Sequence, residues 1–186
     1  MDEIILAVRE LFTDFSNEIN GITFLFDKPR VASVIKDDIL LEYQFGSREE
    51  ETCFLFACPL NIEELMFKVY PKGKFAVFVD LEKMKDIRDY SVFISEYDKS
   101  KQYLTALFND YEYKSILNEY LGKWSIHYEK NILVVRLKKG ISPLFGTKVT
   151  VNDLLMGYKV ILETKKVLEY FNRKIDSVSI MEGNRR

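Results

Sequence analysis

The most chemically distinctive stretch of this chain is "GKWSIHYEKNILVVRLKKG", which contains its only tryptophan, Trp124, and its only histidine, His127. Ser125, His127 and Glu129 alternate along it, and in principle a Ser-His-Glu set could make a nucleophile, a base and an orienting acid. On a strand, however, alternate residues project side by side from one face and do not turn toward each other. No neighbouring sequence offers an oxyanion hole either. With a single histidine, the common histidine-rich zinc sites are excluded. His127 therefore reads as a strand residue on a polar face.

Three other stretches invite chemistry. Asp80, Glu82, Asp86 and Asp89 form an acidic segment whose oxygens could surround a hard cation if the chain folded back on itself. Lys83, Lys85 and Arg88 are interspersed, which is the composition of an ordinary charged surface. "GISPLFGTKVT", Gly140 to Thr150, lies between a strand and a helix, where phosphate loops belong. It departs from the phosphate-loop pattern because five residues separate Gly140 from Gly146 and Thr147 precedes Lys148. The two cysteines, Cys53 and Cys58, are separated by four residues in "CFLFAC". That is not the spacing of a metal knuckle or redox pair, and odd separation on a strand sends them to opposite faces. No catalytic residue, metal ligand or cofactor is assigned from these stretches.

The chain must be large enough to hold such residues in place, and 186 residues with 47% apolar content can bury a core without metal or disulfide support. The 27 basic and 29 acidic residues nearly cancel, so there is no long-range attraction to nucleic acid or anionic lipid. No apolar run is long enough to span a membrane. The start, "MDEIILAVRELF", lacks the features of a signal peptide. With free thiols, these features lead to an expectation of a cytoplasmic protein.

The periodicities outline the scaffold. Residues 2–19 repeat apolar groups at three and four and end at Asn20-Gly21, predicting a helix with a left-handed exit. "ITFLF" follows as a strand. "RVASVI" and "ILLEYQF" form a hairpin about Asp37-Asp38 that sets Val34 opposite Leu41 and Ser33 opposite Glu42. "CFLFAC" is a central strand. Asn61 and Glu64 have capping-box spacing before Ile62, Leu65, Met66 and Val69, predicting a short helix. "FAVFVD" and "YSVFISEY" are strands, whereas "LEKMKDIRD" is too short and charged to assign. Residues 100–121 are helical with a break at "NDYE". Turning the chain at Lys130-Asn131 pairs Trp124 with Leu137, Ile126 with Val135 and Tyr128 with Leu133, gathering the large groups on one face. A final helix starts after Thr150 and runs to about Arg173.

The expected fold is therefore α+β, with mostly antiparallel sheet and about four packed helices. It forms one compact domain over residues 1–186, or two interlocked halves meeting near residue 98. The apolar surface of the last helix is wider than one core requires, which nominates Val160, Val167 and Phe171 as partner-binding residues. The function expected is a non-catalytic protein-binding module: an adaptor, chaperone-like or assembly component, with a homodimer as the simplest partnership. The alternative is a metal-assisted hydrolase using the Asp80–Asp89 segment.

Overall fold

The first helix, α1 (Asp2–Ile19), turns Val8, Phe12 and Phe15 into the core and ends as its sequence implies. Asn20 takes a φ of 52°, its N–H bonds the Asn17 carbonyl, and the Gly21 N–H reaches back to the Ser16 carbonyl at 2.9 Å. This is a Schellman closure with asparagine in the left-handed position. A computed structural model describes residues 2–26, 32–44, 53–71, 82–87, 90–94, 98–119, 124–137 and 149–183.

Beyond α1, the chain forms strands β1 (Ile22–Leu25), β2 (Ala32–Lys36), β3 (Ile39–Gln44), β4 (Cys53–Pro59), β5 (Phe67–Pro71), β6 (Glu82–Ile87) and β7 (Tyr90–Ile94). Helices α2 (Asp98–Asn109) and α3 (Tyr111–Glu119) follow, then β8 (Trp124–Glu129), β9 (Ile132–Leu137) and α4 (Val151–Gly183). All nine strands join one antiparallel sheet in the order β1-β2-β3-β4-β9-β8-β5-β7-β6. The fold is α+β, as expected. The ladders β4–β9 and β5–β8 stitch residues before position 98 to residues after it.

The helices lie on one side of the sheet. α1 rests on β1 and β2, α4 crosses β4 and β9, and α2 and α3 pack against α4. The two hairpins have the anticipated registers: Val34 opposite Leu41 in one, and Trp124 opposite Leu137, Ile126 opposite Val135 and Tyr128 opposite Leu133 in the other. Both turns place two residues at positive φ, Asp37 and Asp38 at 51° and 61°, Lys130 and Asn131 at 52° and 61°. Positive φ at both central positions is the type I′ geometry, whose twist matches that of the flanking strands.

α4 begins in a complete capping box. The Thr150 hydroxyl accepts the Asp153 N–H at 3.2 Å, and the Asp153 carboxylate accepts the Thr150 N–H at 3.0 Å. Its backbone continues past Arg173 to Gly183, longer than expected. Asp110 separates α2 from α3 at the anticipated break and caps the latter, its carboxylate accepting the Tyr113 N–H at 2.9 Å.

One segment differs from the expectation. Residues 61–69 are not a helix: the chain turns at Glu63-Glu64, with Glu64 at a φ of 58°, and Phe67 already begins β5. The decisive contact comes from far along the chain. The Tyr128 hydroxyl donates to the Leu60 carbonyl at 2.6 Å and accepts the Ile62 N–H at 3.0 Å, tying this segment to β8 in an extended course. The unassigned charged stretch supplies β6, an outer strand of the sheet. "FAVFVD" and the Gly140–Lys148 loop lie outside the described residues.

Candidate functional site

Because the helices occupy one side of the sheet, its other side is the natural place to look for chemistry. Register across neighbouring strands aligns Ser33, Glu42, Leu55, Arg136 and Ser125 in a row on that side. Lys68 stands opposite His127 in the adjoining ladder, and Tyr70 lies two residues further along the same strand. The Tyr70 and His127 rings meet with centroids 4.8 Å apart. Burial pushes the Tyr70 hydroxyl above its usual range, while the nearby Arg136 charge pulls it the other way.

This face is partly enclosed. Ser33, Cys53, Leu55 and Ser125 are all buried there, while His127 and Arg136 are half-buried. Each functional group nonetheless has a structural engagement. The Ser125 hydroxyl donates to the Arg136 carbonyl at 3.4 Å, bracing the hairpin. Glu129 forms ion pairs with Lys68 at 3.8 Å and with Lys130 at 3.9 Å. Ser125 and Glu129 thus flank His127 along one strand, each engaged in a contact of its own.

The cysteines separate as their spacing requires. Cys58 joins the helix-side core, whereas Cys53 lies on the opposite face, and both are free thiols. Burial pushes the Cys58 thiol up to about 11 from an ordinary 9.0. Such a thiol is an inert packing group at neutral pH. Of the acidic segment, Asp80 and Asp89 lie outside the described residues, and Glu82 and Asp86 belong to β6, with backbone partners Ile94 and Ser91. No group of three or more metal-ligating side chains occurs among the described residues.

The α4 residues nominated from the sequence are covered to different extents by the chain itself. Val160 is fully buried in the monomer core. Val167 and Phe171 are partly buried against it, and Phe171 meets Tyr103 of α2 edge-on at 5.1 Å. Phe171 also lines an open groove of about 560 Å³ with Lys101, Gln102, Thr105, Ala106 and Asn109. The α2–α3 pair is what covers the apolar flank of α4.

A larger apolar exposure lies at the first strand, away from every residue nominated above. Ile22 is 63% exposed, Phe24 43% and Leu25 57%, and Ile35 on β2 is 39% exposed beside them. Ile22 is the backbone partner of Ile35, which puts Ile22, Phe24 and Ile35 on the helix-free face. Leu25, opposite the core residue Ala32, projects to the helix side, where Leu6 of α1 is 59% exposed. Apolar side chains therefore flank this sheet edge on both faces. The available signal was "ITFLF", five residues without charge; what sequence could not reveal was that this strand would end the sheet.

No protein-family model matches the chain, and no curated protein matches it. Among solved structures, the fold is similar to that of the mycobacterial trehalose monomycolate transport factor A, TtfA, with a TM-score of 0.61 over 86% of this chain and 93% of that one. Sequence identity is 10%, so the likeness is one of fold. No helix among the described residues is long and apolar enough to cross a membrane.

Proposed function

We propose that the protein is a non-catalytic protein-binding module, an adaptor or assembly component working in the reducing cytoplasm. The observation that carries this reading is the β1 edge, where Ile22, Phe24, Leu25 and Ile35 remain exposed around a strand that pairs on one side alone among the described residues. An exposed apolar strand edge is a template for another chain, because main-chain hydrogen bonds supply affinity and the flanking side chains supply selectivity. A fold shared with a protein described as a transport factor is in keeping with a role exercised through binding. Two buried free thiols suit a reducing compartment.

Affinity purification with mass spectrometry tests the reading, using the wild-type chain and Phe24→Lys as paired baits. A protein, or a second copy of this one, should be enriched on the wild type and lost on the variant. Equal recovery on both baits would remove the β1 edge from the account. Absence of any specific companion would remove the binding function.

A further inference from the structure

The two edges of the sheet are built differently. β6 reads "EKMKDI" and carries two lysines, a glutamate and an aspartate, the composition by which edge strands discourage pairing with other chains. β1 reads "ITFL", with no charge and no proline. Its only ladder among the described residues is to β2. Its outer side therefore carries none of the charges that mark β6.

We propose that β1 is the contact edge of a symmetric dimer, in which a second copy adds its own β1 antiparallel and fuses two nine-stranded sheets into one. This rests on the reading of the edge as a binding surface and names its occupant. Antiparallel pairing of one strand with its own copy closes about a two-fold axis, the commonest symmetry of soluble oligomers. An axis normal to the sheet keeps both helix layers on the same side. Ile22 and Phe24 of one copy then meet the same residues of the other on the helix-free face, with Ile35 one strand behind them.

Leu25 does the equivalent on the helix side. The Arg9 guanidinium donates to the Phe26 carbonyl at 2.7 Å. That bond fixes this flank of α1 near the end of β1. The patch is self-complementary and uncharged along the strand, so identical copies meet no like-charge penalty there. Exposed side chains of this number present on the order of several hundred Å² of apolar surface per copy. With two strand backbones added, the interface falls near the low end of the roughly 1,200–2,000 Å² of specific complexes. An interface at that end of the range suits weak, reversible association, of roughly micromolar dissociation constant.

Sedimentation velocity of the full chain, from about 1 to about 300 µM, should show a monomer–dimer transition bracketing that constant. Ile22→Lys with Phe24→Lys should shift it at least tenfold toward monomer, while Tyr170→Lys, altering a 65% exposed aromatic elsewhere, should leave it unchanged. Hydrogen exchange on the unaltered protein gives a readout free of folding artefacts: amides of residues 22–25 should gain protection as concentration rises through the transition. A dimer indifferent to the β1 substitutions, or one whose protection appears elsewhere, overturns the proposal. A wild type that stays monomeric throughout also overturns it. If companion capture still depends on Phe24 in that case, the binding reading survives with another protein as occupant; if it does not, both fall together.

Discussion

Trp124 and His127 stand three residues apart in the sequence and on opposite faces of one strand. The indole is fully buried and packs against Phe56 at 5.8 Å between ring centroids. Trp124→Ala should therefore cost about 3–5 kcal/mol. His127→Gln, at a half-buried position on the polar face, should cost less than about 1.5 kcal/mol. Denaturant titration of both variants checks the contrast, and equal losses would show that the helix-free face contributes as much as the core. Opposite faces were legible because residues three apart on a strand project to opposite sides, and only one register sets Trp124, Ile126 and Tyr128 against Leu137, Val135 and Leu133. The role of Gly157 was not. A Cβ on it would stand 2.6 Å from Phe56 Cε2 and 2.5 Å from Trp124 Cη2, so its lack of a side chain admits the two rings against α4. In the sequence it is only a weak helix residue, because its partners lie more than thirty positions away. A third residue sets a pH dependence. Burial raises the Cys58 thiol in the folded state to about 11 from 9.0, so its contribution is complete below about pH 9 and is lost as pH rises toward about 11. Urea titrations across that window should give a shallower alkaline decline for Cys58→Ala than for the wild type.

The hairpins were the most legible elements, because alternation and turn position each constrain the same register. Lys130 is the exception to local preference: it occupies a φ of 52° where asparagine, aspartate or glycine is usual. Its side chain is 87% exposed and its ammonium pairs with Glu129 only at 3.9 Å, a contact worth little in water. The apolar ladder beyond it, from Tyr128–Leu133 to Trp124–Leu137, evidently outweighs the strain. Lys130→Gly should consequently stabilise the protein by roughly 0.5–1 kcal/mol, visible as a higher thermal midpoint. A lower midpoint would mean that the lysine stem supports the turn. Residues 61–69 failed as a helix for the complementary reason. Their spacing satisfied a cap, but Tyr128 is hydrogen-bonded to Leu60 and Ile62, and Val69 is the backbone partner of Ile126. Both partners come from the other end of the chain, and local pattern contains no trace of them.

At the scale of the molecule, the sequence implied the fold class but not the order of the strands, and the order decides which apolar surfaces stay open. The breadth of the α4 apolar surface pointed outward to a partner, yet α2 and α3 cover much of it within the same chain. "ITFLF" looked like any other strand until the topology placed it at the rim. The same topology bears on how the chain folds. β4 takes β9 as a neighbour and β5 takes β8, so neither the part before residue 98 nor the part after it can complete its ladders alone. Residues 1–97 would present Phe54, Phe56 and Phe67 without α4 and the β8–β9 hairpin, while residues 98–186 would carry Trp124, Tyr128 and Val135 with half of their cover missing. Separate fragments should each lack a cooperative thermal transition. Mixed in equal amounts they should recover near-ultraviolet circular dichroism from Trp124, as interlocking of one core requires. A cooperative transition in either fragment by itself would show that an independent domain exists on that side, and that β4–β9 and β5–β8 are docking contacts between finished units.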